Sequence, residues 1–96
     1  MISKELLNEV LNDEVGDYFY YNDNLLWFEQ DGKEYIINIY EFAHKCKEWA
    51  LNKNKCLSST PYHKRLYVCT ILGDEMFESD TEVEAIFKAC QYIMEN

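Results

Sequence analysis

His44 and Cys46 stand two residues apart, with Cys56 and His63 downstream, and four nitrogen and sulfur donors within twenty residues are the raw material of a zinc site. Their spacing argues against it. Residues i and i+2 of a helix project about 200° apart, so His44 and Cys46 cannot readily share one ion. Cys46 also belongs to an apolar stripe. Cys56 offers a different chemistry, because Lys53, Lys55, His63 and Lys64 surround it in sequence and positive neighbours favour the thiolate. Reactivity alone does not make a catalyst. No oxyanion donor and no orienting carboxylate can be assigned to this thiol, so it reads as an incidental loop cysteine. Paired carboxylates for glycoside hydrolysis are always at hand in an acidic chain, but such pairs work across a cleft that a domain of 96 residues has little room to build. The residues imply no enzyme, no metal and no cofactor.

The acids are the stronger signal. Eighteen Asp and Glu stand against nine Lys and Arg, a formal charge of −9. They are unevenly placed. Residues 1–41 carry −8, residues 42–65 carry +5, and residues 66–96 carry −6. Asp74, Glu75, Glu78, Asp80, Glu82 and Glu84 place six acids in eleven residues with no base among them, and Glu9, Asp13, Glu14 and Asp17 form a second group. Part of the first group serves helix capping and edge-strand solubility. The remainder is expected to be a binding surface for a basic protein, with carboxylates on a rigid scaffold standing in for phosphates. The same charge argues against direct contact with nucleic acid. Six bases between Lys45 and Arg65, beside Tyr62 and His63, interrupt the pattern, and they read first as a solvated helix face and loop. Tyr18, Tyr20, Tyr21, Tyr40, Tyr62 and Trp27 exceed what a small core takes in, which makes a homodimer through aromatic residues the competing expectation.

Those residues need a scaffold, and the pattern supplies one. A helix is expected from Lys4 to Asn12, with Ser3 as N-cap, an Ile2–Leu7 staple and Gly16 with its acidic neighbours as the stop. Tyr18–Tyr21, Leu25–Phe28 and Glu34–Ile37 read as strands, the last two joined by an Asp31-Gly32 hairpin turn. Ile39, Phe42, Ala43, Cys46, Trp49 and Ala50 define one stripe of a second helix capped by Asn38. Residues 56–65, with Ser58-Ser59-Thr60-Pro61, read as a loop. Leu66–Leu72 is expected to be a central strand covered on both faces, followed by a Gly73-Asp74 turn of type II′ and a more exposed strand from Glu75 to Glu78. Thr81 and Glu84 form a capping box for a last helix with its stripe at Val83, Ile86, Ala89, Cys90 and Ile93.

The chain is therefore expected to be one α+β domain over residues 1–96, with about three helices packed on a mostly antiparallel sheet of four to five short strands. Cys46, Cys56, Cys69 and Cys90 show no paired spacing, and the first residues lack the uninterrupted apolar centre of a signal peptide. No apolar run reaches membrane-spanning length. A cytoplasmic protein with reduced thiols and no membrane contact is expected.

Two stretches carry a resemblance. Ile37-Asn38-Ile39-Tyr40-Glu41-Phe42-Ala43-His44-Lys45-Cys46-Lys47-Glu48-Trp49-Ala50 and Thr81-Glu82-Val83-Glu84-Ala85-Ile86-Phe87-Lys88-Ala89-Cys90-Gln91-Tyr92-Ile93 resemble segments of small bacteriophage and prophage proteins, some described as a phage α/β/α sandwich domain. The resemblance implies a phage-like origin, hence a bacterial host cell, and a helix-packed sheet, and it carries over no catalytic residue. It also implies the most concrete form of the expectation above: an inhibitor that docks its acidic surface on a basic, nucleic-acid-handling host protein, as anti-CRISPR proteins and DNA mimics do.

Overall fold

A computed structural model describes residues 2–96. Helix α1 spans Lys4–Leu11, and Ser3 Oγ caps it by accepting from the Leu6 N–H at 3.1 Å. Ile2 and Leu7 are both buried, as a staple requires. The helix ends at its C-cap, Asn12, as its expected bounds had it, and Asn12 rather than Gly16 is the stop. Asn12 takes the left-handed conformation (φ 58°) and its N–H returns to the Asn8 carbonyl. Asparagine tolerates that conformation because its short amide bonds locally.

Three strands follow: β1 (Tyr20–Tyr21), β2 (Leu25–Gln30) and β3 (Lys33–Asn38). They pair antiparallel in chain order. Asp31 (φ 54°) and Gly32 (φ 74°) turn β2 into β3, the left-handed pair that a type I′ hairpin needs. Helix α2 (Ile39–Asn52) starts at once, its N-terminus capped by Asn38 Oδ1 accepting from the Tyr40 N–H at 2.8 Å. Strands β4 (Leu57–His63), β5 (Leu66–Ile71) and β6 (Met76–Ser79) then make a second antiparallel meander with β5 in the middle, and helix α3 (Glu82–Glu95) closes the chain. No helix among the described residues is long and apolar enough to cross a membrane.

The α+β class and the three helices agree with the sequence reading; the single sheet of four to five strands does not. Six strands form two three-stranded sheets. Each strand pairs with its neighbour in the chain, and α2 stands between the two meanders. The unexpected strand is β4, whose residues read as a loop in the sequence. Pro61 lies inside β4, opposite Tyr67, with a register shift between Pro61 and His63. Proline removes one N–H donor, which a strand tolerates when one side of it is a sheet edge. β4 is such an edge, and its serine- and threonine-rich residues are largely exposed. The turn after β5 also differs. The Asp74 N–H returns to the Ile71 carbonyl at 2.9 Å, so Leu72 and Gly73 are its central residues, and the positive φ (78°) falls on the second of them. That is a type II turn, not type II′.

Both sheets and all three helices feed one core. Leu6 and Leu7 of α1, Leu26 and Phe28 of β2, Phe42 and Cys46 of α2, Cys69 and Ile71 of β5, and Ile86, Phe87 and Cys90 of α3 are buried together. Phe87 is the hub. Its ring lies 5.7 Å from Phe42 and 5.9 Å from Tyr21, edge-on to the latter. α3 thereby ties the first sheet to the second, and it fixes how acids from different parts of the chain face solvent.

Candidate protein-binding surface

The segment after α1 is pinned by backbone groups. Asn8 Oδ1 accepts from the Val15 N–H at 2.8 Å, and the Gly16 N–H donates to the Glu29 carbonyl at 2.8 Å. Val15 is buried beneath. A Cβ at residue 16 would sit at ordinary contact distance, 3.4 Å, from the Glu29 Cβ, so the backbone hydrogen bond rather than the glycine itself holds the two stretches close. This close approach sets residues 13–16 against the β2–β3 hairpin. Asp13, Glu14, Glu29 and Asp31 then line one open depression of about 400 Å³ with Val15, Gly16, Gln30 and Gly32. No lysine or arginine is among its lining residues. The sequence singles out Asp13 and Glu14 but not Glu29 and Asp31, because long-range contacts, the Gly16–Glu29 hydrogen bond and Gln30 Nε2 donating to the Asp13 carbonyl at 3.5 Å, bring the two stretches together.

The other acids of the N-terminal group are engaged elsewhere. Asp17 accepts from Lys4 Nζ at 2.6 Å. That contact holds the Asp17 carboxyl below its usual range and Lys4 above its own. Glu9 lines the cleft between α1 and α2 with Lys45, Glu48, Trp49 and Lys53, where Lys53 Nζ lies 5.4 Å from the Trp49 ring centre. The cleft is of mixed sign.

The C-terminal group divides. Asp74 sits 4.0 Å from Lys55 Nζ and accepts from the Tyr92 hydroxyl at 3.5 Å, and its charge raises the Tyr92 pKa. Glu82 accepts from Ser59 Oγ at 2.7 Å, and Ser59 in turn accepts from Lys47 at 2.8 Å. Two members of the basic segment thus meet two members of the acidic one. Glu75, Glu78 and Asp80 remain exposed, although Lys88 reaches the Glu78 carbonyl oxygen at 2.7 Å. Thr81 Oγ1 caps α3 by accepting from the Glu84 N–H at 3.2 Å. The Glu84 carboxylate meets Tyr21, whose hydroxyl also accepts from the Ile2 N–H; burial first, then Glu84, raises the Tyr21 pKa.

Asp80 and Glu82 share a small depression with Asp23, Tyr40 and Tyr67, and Glu84 shares another with Phe19, Tyr20, Tyr21 and Asp23. Asp23, on the turn between β1 and β2, therefore joins the C-terminal acids. The N-terminal acids line other depressions: Asp13 and Glu14 lie beside the β2–β3 hairpin, and Glu9 lies between α1 and α2.

The residues weighed for chemistry are apart. Cys46 is fully buried, while His44 is exposed and lies 3.8 Å from Glu48, one turn along α2. Cys56 is an exposed free thiol before β4. No group of three His, Cys, Asp or Glu among the described residues is placed to hold a metal ion. The chain matches no protein-family model, no curated protein and no solved structure.

Proposed function

We propose that this protein is a non-enzymatic binding domain that presents its acidic surface to a positively charged partner protein. One observation carries the reading: four carboxylates from two separate stretches of chain, Asp13, Glu14, Glu29 and Asp31, surround one depression whose lining residues include no base. Carboxylates gathered this way raise a local negative potential that a basic surface senses at a distance. The exposed Glu75, Glu78 and Asp80 extend the same sign to the far sheet. The narrower form, a phage-encoded inhibitor that occupies the nucleic-acid channel of a host enzyme, draws its support from the resemblance of α2 and α3 alone. It places the site of action in the bacterial cytoplasm.

Self-association is the second reading, and it rests on the exposed rings: Tyr18, Tyr20, Tyr40 and Tyr62 are all more than half exposed. Capture from bacterial lysate at low and high salt separates the two. The acidic reading expects a basic protein retained at low salt, released at high salt, and lost from a variant carrying Asp13→Lys, Glu14→Lys and Glu29→Lys. A second variant, with Glu75, Glu78 and Asp80 changed to Lys, tells which acidic region the partner touches. Retention by both variants as by the parent chain overturns the reading.

A further inference from the structure

The antiparallel register of the first sheet sets Tyr20 opposite Trp27, and Trp27 opposite Ile36. The three side chains form a row across all three strands, on the face opposite the buried Leu26 and Phe28. Tyr18 joins the row, its ring edge-on to Trp27 at 5.7 Å. Tyr18 is 70% exposed, Tyr20 51% and Ile36 67%. Scattered exposed apolar residues are ordinary, but four in contact on one sheet face are not. The next row on this face is Glu29 opposite Glu34, both exposed. Like charges placed directly opposite each other oppose strand pairing, and nothing basic on β2 or β3 shares their face: Lys33 alternates to the other side. Glu29 also opens onto the depression lined by Asp13, Glu14 and Asp31.

We infer that the outer face of the first sheet is a docking face for a protein segment carrying an apolar side chain flanked by Lys or Arg. The apolar side chain rests on the Trp27–Ile36 row, and the cation lies between Glu29 and Glu34. The inference rests on the acidic binding reading above and names the anchor that reading lacks. Charge complementarity selects the occupant. A cation between two opposed carboxylates removes a repulsion that the free protein carries, and it is the kind of close, partly desolvated pairing that fixes register at an interface. A second copy brings the opposite: two-fold pairing of this face sets four carboxylates around one apolar row, between chains of charge −9 each.

The test uses the full chain and three short synthetic peptides: one alternating Lys and Leu, one of Lys alone, and one alternating Glu and Leu. Amide and side-chain NMR shifts locate any binding. The Lys/Leu peptide is expected to bind with shifts centred on Tyr20, Trp27, Glu29, Glu34 and Ile36, and to bind more tightly than oligo-lysine; the Glu/Leu peptide is expected not to bind. Ile36→Ser, a change at an exposed position that leaves the core alone, should weaken the Lys/Leu complex by about tenfold. Glu34→Lys should weaken it and flatten its salt dependence. Equal affinity for oligo-lysine and the Lys/Leu peptide, with shifts elsewhere, overturns this face and leaves acidic binding standing. Failure of both basic peptides overturns the two together. A dimer in sedimentation that Ile36→Ser dissolves makes the occupant a second copy and overturns the inference.

Discussion

Cys46, Cys69 and Cys90 are buried in the core, and Cys56 alone is exposed, so the four thiols of this chain live in two environments. A thiol reagent should titrate one thiol per native chain and four after denaturation; more than one in the native state contradicts the packing. Burial, with Cys90 beside it, pushes the Cys69 thiol up to about 11 from an ordinary 9.0. Burial pushes Cys46 in the same direction. The folded chain therefore keeps these protons where the unfolded chain releases them. Stability from this source is complete below pH 9.0 and falls as the pH rises toward about 11. Urea midpoints should hold steady around neutrality and drop through that window, with a shallower drop for Cys69→Ala. The sequence showed at this scale which side chains cap helices and which thiols lie on apolar stripes, because both are local patterns. It did not show that the Gly16 N–H bonds the Glu29 carbonyl. Nothing local in either stretch marks a hydrogen bond to the other.

The elements divide in the same way. Helix α3 was legible from the Thr81 cap and a stripe ending at Ile93, and the structure places its N-terminus there. Thr81→Ala should cost about 1 kcal/mol by denaturant melting, the usual value of a lost N-cap. Phe87→Ala should cost about 3–5 kcal/mol, because its ring bridges Phe42 and Tyr21 and leaves a cavity between the layers. A loss below 1 kcal/mol at Phe87 would contradict its place as hub. β4 was hidden by its chemistry. A strand of serine, threonine and proline looks like a loop until its partner β5 is known, and strand pairing is a long-range event. For the same reason the sequence revealed the strands of the first meander without revealing that six strands make two sheets.

For the whole molecule, charge was the most legible property and its placement the least. The totals come from counting. Whether Asp74 meets Lys55, or Glu82 meets Lys47 through Ser59, comes only from the fold. The fold spends part of the basic segment on the C-terminal acids and leaves Asp13, Glu14, Glu29 and Asp31 together without a base among the residues lining their depression. The acids that sequence clustering ranked first are thus partly paired, and those around the β2–β3 hairpin gather four carboxylates on one depression.

Recognition of this concentrated charge by a basic partner is the central claim, and the salt dependence of the captured complex tests it most directly. Affinity should fall steeply and linearly on a log–log scale as ionic strength rises, and the slope should shrink when Asp13, Glu14 and Glu29 are changed to Lys. A partner held equally well at low and high salt, by parent chain and variant alike, would contradict the claim.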